Sequence, residues 1–208
     1  MISESGFWEP VRRRRRYALS RQEDPSARSV EASVDDILRR AAGSRDRGVR
    51  KDKGLFRFER EVEEISDAIG KLSENGHCEE GKKIWRKLYE FAEETMADGY
   101  MPMFLYILYR YADILLDTGE TEEALMRYRE LCGGTERLIG INNSYGIHCL
   151  ERLATAAHRS GDRAEEESAL DKMRRIAEKE FGDSSAMALS VSRFAGRLRA
   201  ESDAKEIG

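Results

Sequence analysis

From about residue 55 onward, apolar residues return at steps of three and four and are interrupted by isolated glycines. That pattern predicts amphipathic helices joined by tight turns. It is clearest in Met103–Gly140, which reads as two helices with a turn at Asp117–Thr121. Leu105, Leu108, Ala112 and Leu115 form one apolar face, and Ala124, Leu125, Tyr128 and Leu131 form the other. Pro102 suits a first helical position, where its missing N–H has no intrahelical partner to lose. Gly119 breaks the pattern between the helices. One hairpin cannot bury both faces alone, so the chain is expected to repeat it.

The repeat is visible when the turn glycines are aligned. Gly76, Gly119 and Gly161 are spaced by 43 and 42 residues. Eleven residues before them stand Ile65, Leu108 and Leu150; eight before, Ala68, Tyr111 and Leu153; seven before, Ile69, Ala112 and Ala154; four before, Leu72, Leu115 and Ala157. Nine after come Trp85, Tyr128 and Leu170, and twelve after come Leu88, Leu131 and Met173. Gly140 and Gly182 repeat the 42-residue spacing behind Ile139 and Phe181. One column breaks: five after the glycines stand Gly81, Ala124 and Glu166, where a small residue is expected.

These columns resemble the tetratricopeptide repeat (TPR), with its large residue, large–small pair, turn glycine, and small and aromatic positions on a second helix. The usual unit is about 34 residues. A unit near 42, with a longer second helix ending in an apolar residue and glycine, is similar to the variant of kinesin light chains and many bacterial repeat proteins. The resemblance covers about residues 59–200 and is specific for architecture rather than function. The proline that often closes each unit is absent, and Gly140, Gly182 and Asp183 stand in its place. The resemblance implies an all-α fold: a right-handed α-solenoid of about three helical hairpins plus a C-terminal capping helix.

Three segments are expected: a flexible basic tail over 1–28, a short helix and linker over 29–54, and the repeat domain over 55–208. In the second, Val30, Val34, Ile37, Leu38 and Ala41 share a face that either caps the first repeat or docks a partner. Residues 44–54 read as linker. The third hairpin's second helix should start at an Asp162/Glu165 variant of the capping box. The last helix, about Ser185–Glu201, places Leu189, Ser192, Ala195, Gly196 and Arg199 on the repeat columns, and 202–208 should fray. Such small and polar residues fit a capping helix.

Charge adds an asymmetry that the net value of −4 hides. Residues 1–53 hold 14 Lys+Arg against 9 Asp+Glu, and residues 54–208 hold 22 against 31. Most of the tail's signal is Arg12, Arg13, Arg14, Arg15 and Arg16, flanked by Trp8 and Tyr17. Such a run either grips nucleic acid, anionic lipid or an acidic protein, or is simply a solvated tail. Glu4 and Glu9 argue against an organelle presequence. No apolar run approaches a membrane span. The three cysteines make no CxxC and are expected as reduced thiols in a cytoplasmic protein.

In the resembled fold the first helix of each hairpin lines the concave side, so off-column residues there are the candidate partner-binding groove. These are Tyr106, Tyr109, Asp113 and Leu116 in the second unit, and His148, Glu151, Thr155 and His158 in the third. The last helix adds Ser190, Arg193 and Arg197. Tyrosine and arginine are over-represented at binding hot spots. The equivalent positions carry no Lys/Asn set of the chaperone-tail-binding members. His148 and His158 are ten residues apart, about 15 Å along a helix, too far to share a metal ion. No phosphate-loop, nucleophile-elbow or zinc-protease motif occurs. The expectation is therefore a non-enzymatic adaptor, without cofactor or metal, that binds a peptide or helix in this groove. The alternative is a structural subunit anchored by its arginine tail to a partner or nucleic acid.

Overall fold

The computed structural model describes residues 26–45, 51–96 and 101–207. Among these it holds eight α-helices and no strand. The chain divides into two compact units, Met1–Ile114 and Leu115–Gly208. The first contains α1 (Ala27–Arg45), α2 (Lys51–Glu74), α3 (Cys78–Met96) and most of α4 (Met101–Asp117). The second contains the end of α4, then α5 (Thr121–Ile139), α6 (Ser144–Ser160), α7 (Arg163–Phe181) and α8 (Ala186–Ile207). Two boundaries differ from expectation. The helix α2 starts inside the stretch read as linker, and α8 continues through residues expected to fray.

The turns explain the spacing of the repeat. Gly76, Gly119 and Gly161 have φ of 84°, 85° and 79°, and each ends a helix the same way. The residue after the glycine donates its N–H to a carbonyl five residues back: His77 to Leu72 at 2.8 Å, Glu120 to Leu115 at 2.9 Å, Asp162 to Ala157 at 2.9 Å. This Schellman closure satisfies carbonyls that a helix end leaves without partners. Gly140 and Gly182 close the second helices differently, at φ 76°, ψ 160° and φ 90°, ψ 150°. Only glycine occupies that region without strain.

Every residue in the six apolar columns is buried, none more than 4% exposed. In the first unit an aromatic cluster extends them. Tyr89 stacks on Tyr111 at 5.3 Å and tilts against Phe104 at 6.2 Å, while Phe58 meets Phe91 at 5.6 Å. Gly81 is small for a reason: an added Cβ would lie 2.8 Å from Ile69 Cγ2 and 3.0 Å from Ile114 Cδ1. The helix α1 packs on both α2 and α3, burying Val30, Val34 and Ile37. Arg40 reaches Glu61 at 2.8 Å, and Lys87 reaches Glu31 at 2.7 Å and Asp35 at 3.2 Å. That apolar face is thus spent on the first hairpin, which is the capping alternative.

In the second unit, the phase of α8 corrects the sequence reading. Its buried residues include Ala188, Val191, Phe194, Ala195 and Leu198, while Leu189 is 52% exposed. The repeat columns run on through Val191, Phe194, Ala195 and Leu198, one residue earlier than the 42-residue spacing predicts. Gly182 to Val191 is nine residues where Gly140 to Leu150 is ten. The last helix therefore buries an apolar face and leaves Ser192, Arg193, Gly196, Arg197 and Arg199 exposed, the polar outer face of a capping helix.

Gly182→Ala and Gly140→Ala should each destabilise the chain by about 1–3 kcal/mol through backbone strain, although an added Cβ has nothing within 4 Å at either. Gly196→Ala, equally open but inside α8, should stabilise by up to about 1 kcal/mol. Urea denaturation midpoints separate the two signs.

Candidate interaction surface

In the first unit the predicted residues share one stripe of α4. Tyr106, Tyr109 and Asp113 are all half-buried. Tyr106 sits edge-on to Trp85 at 6.5 Å, and its hydroxyl is hydrogen-bonded to Ser66 of α2. Burial pushes that phenol's pKa up. Arg110 lies over the Trp85 ring at 5.8 Å. The sequence reading omitted the neighbouring face of α2, where Glu59, Glu63 and Asp67 recur at four-residue steps. The pKa of Glu63 is raised by burial and then by Glu59 and Asp67; that of Glu59 is raised by burial. Glu64 is pushed up to about 7, chiefly by burial, with Glu61, Asp67 and Glu63 adding and Arg60 opposing. A signal was present: Glu63 lies thirteen residues before its turn glycine, as Tyr106 and His148 do.

In the second unit the predicted residues separate. His148 is exposed on α6, with Nδ1 4.0 Å from Glu151 Oε2. Thr155 donates its hydroxyl to the Glu151 carbonyl at 2.9 Å. His158 does not belong to an open face: it is 8% exposed. Its Nδ1 lies 3.2 Å from Glu166 Oε2, and its Nε2 lies 3.6 Å from Glu201 Oε2 on α8. This explains the broken column. Glu166 replaces a small residue because its carboxylate meets a histidine placed three residues before the turn glycine, where the preceding repeat has Leu116. Leu116 is itself buried at 2% exposure, a core residue rather than a surface one. Its carbonyl accepts from Arg159 Nη1 at 3.1 Å.

The one-residue shift of α8 also moves its candidates. The positions equivalent to the α4 and α6 stripes become Leu189, Ser192, Gly196 and Arg199. Arg193 and Arg197 lie one residue further round, a turn of about 100°. Both are exposed; Arg193 Nε donates to the Leu189 carbonyl at 3.3 Å, and the Arg197 guanidinium lies 5.3 Å from the Phe194 ring centre. Asp162 caps α7 as expected, accepting from Glu165 N–H at 3.1 Å. The Glu165 carboxylate goes to Arg129 at 2.8 Å, which also holds Asp162 at 2.8 Å. Cys149 is fully buried beside Thr135, with a pKa raised to about 11 by burial, which matches an inert thiol. Among the described residues no group of three His, Cys, Asp or Glu is placed to hold a metal ion, and no helix is long and apolar enough to cross a membrane. Arg12–Arg16 lie outside the described residues.

Comparison with known proteins fixes the fold. No family profile and no curated protein sequence matches the chain. Solved structures do. A putative kinesin light chain with nearly identical TPR-like repeats from Podosopora anserina aligns at TM-score 0.61 and 14% identity, covering 86% of this chain and 82% of that one. A point variant of the same protein gives TM-score 0.61 over 86% and 81%. BtubC (BKLC) from P. vanneervenii aligns at TM-score 0.59 and 14% identity over 83% of this chain, which spans 66% of that protein. The chain is an all-helical repeat protein with a TPR-like solenoid fold, of the kind seen in these kinesin-light-chain-like structures.

Two stability tests follow from the buried and half-buried polar side chains. His158→Leu leaves the buried Glu166 carboxylate without its histidine and should cost about 3 kcal/mol. The double variant with Glu166→Ala, which imports the Leu116/Ala124 pair of the preceding repeat, should return to within about 1 kcal/mol of the parent; a double-mutant cycle in urea reads both. Glu64 keeps its proton to about pH 7 in the folded chain, against an ordinary 4.5. The folded state then binds more protons between those values, so stability falls as pH rises through them. Glu64→Gln should raise the urea midpoint above pH 7 and converge with the parent below pH 4.5.

Proposed function

We propose that the chain is a non-enzymatic interaction scaffold whose first unit binds a basic peptide along the first helices α2 and α4. The carrying observation is the carboxylate strip Glu59, Glu63 and Asp67 beside the half-buried Tyr106, where burial and mutual repulsion already raise carboxylate pKa values. A lysine or arginine laid there relieves that repulsion, and the tyrosine supplies a ring of the type enriched at hot spots. Tyr109 and Asp113 extend the same stripe along α4. The TPR-like fold supports a protein partner, because stacked helical hairpins present extended surfaces.

Binding of a cation lowers the carboxylate pKa values, so complex formation should release protons. Affinity for a lysine- and arginine-rich peptide should therefore tighten as pH rises from about 5 to 7 and slacken with salt. Glu63→Gln with Asp67→Asn should weaken binding by about tenfold, and Tyr106→Ala should weaken it further, as measured by calorimetry in two buffers of different ionisation enthalpy. Affinity independent of pH and unchanged in the double variant would rule this reading out.

A further inference from the structure

The second unit carries a concavity on its second helices, α5 and α7, rather than on the first helices that carry the stripe discussed above. A cleft of about 720 Å³ opens between α5 and α7, with the α6 residues Leu150 and Leu153 at its base. Ile176 and Ile141 complete the apolar wall, and the half-buried Cys132 faces it. Its volume falls in the range of ligand-binding clefts. Along α5 it runs from Arg129 to Arg137, roughly 12 Å at 1.5 Å per residue. That is the length of about four residues of extended chain.

Two features are costly for the fold alone. Cys132 is followed by Gly133 and Gly134 inside α5. Each helical glycine costs about 1 kcal/mol relative to alanine. Gly134 is buried, so a packing reason is at hand for it. Gly133 has none: an added Cβ would meet only Arg137 Nη1, at 3.7 Å. What the missing side chain does is leave the cleft open. The second feature is charge. Residues 115–208 hold 14 Lys+Arg against 18 Asp+Glu, yet the cleft's rim carries Arg129, Arg137, Lys172 and Arg175 against Glu136 and Glu165. Arg129 is engaged by Asp162 and Glu165. Arg137, Lys172 and Arg175 are all exposed, and although Arg175 Nε donates to the Asp171 carbonyl at 3.3 Å, none of the three is held by a carboxylate in the way Arg129 is.

We propose that the α5/α7 cleft is a second binding site, taking a short acidic segment of a partner protein with an aliphatic side chain seated over Leu150, Leu153 and Ile176. The rim selects carboxylates, and the apolar base selects the side chain between them. Glu136 and Glu165 at the edge disfavour a polyphosphate backbone, which has no apolar group for the base. The site lies in the second unit and has the opposite charge preference from the α2/α4 face of the first.

The test uses the full chain and a fluorescein-labelled Asp-Glu-Leu-Leu-Asp-Glu peptide, with its amide counterpart Asn-Gln-Leu-Leu-Asn-Gln as control. Anisotropy should show saturable binding of the acidic peptide and at least tenfold weaker binding of the amide form. Gly133→Leu, which fills the cleft while removing a helix-weakening glycine, should abolish binding with helicity unchanged. Lys172→Glu with Arg175→Glu should weaken it at least tenfold. Equal affinity for the amide peptide, undiminished binding by Gly133→Leu, or no binding at millimolar acidic peptide would each overturn the proposal.

Discussion

Each hairpin of this chain depends on one backbone event, the passage of a glycine into the left-handed region after a first helix. At Gly76, Gly119 and Gly161 the chain reverses with the same two closing hydrogen bonds. Because the reversal is identical, residues at fixed distances from it fall at identical places in the packing. That is why six columns, read as offsets from a glycine, are all buried. The turn sets the register, and hydrophobic burial supplies the driving force. Neither suffices alone, since a correct turn between unpatterned helices would leave nothing to bury.

The same logic shows where reading by offset failed. For α8 the glycine that should close the turn is absent, and Asp203 stands at the 42-residue position. Without an anchor, phase could only be extrapolated, and a single missing residue after Gly182 rotated the helix by about 100°. The pattern Val191, Phe194, Ala195, Leu198 was available as an alternative phase with larger apolar residues. Volume at the columns was the better guide than spacing. The helices α2 to α7, each adjoining a turn glycine, were legible to within a few residues of their ends, apart from the early start of α2.

The candidate surface was less legible, for a different reason. Offsets distinguish inside from outside, but they do not say which polar residues are drawn inside by a partner. His158 and Glu166 each look wrong alone: a polar residue near a core column, and a large residue in a small column. Together they form a buried contact that also reaches Glu201 of α8. Two departures from a repeat pattern, eight residues apart across one turn, were the signal that they compensate each other. The α2 carboxylates are only partly legible this way: the offsets that define the surface on α4 and α6 reach Glu63 on α2, whereas Glu59 and Asp67 lie four residues to either side of it, off those offsets.

The cleft between α5 and α7 lay beyond any periodic reading. It arises from the gap between two second helices, whose distance no spacing along the chain encodes. What the sequence did carry was the glycine pair after Cys132 in the middle of a strongly patterned helix. A helix keeps a glycine where a neighbour needs the space, where the backbone must bend, or where a surface must stay open. For Gly133 the helical conformation and the empty surroundings argue for the third. The cost of that glycine falls on the fold, and the packing around it returns no compensating contact. Gly70 in α2 and Gly196 in α8 are equally open helical glycines, so what singles out Gly133 is its place in the lining of the cleft, beside Arg137, Lys172 and Arg175.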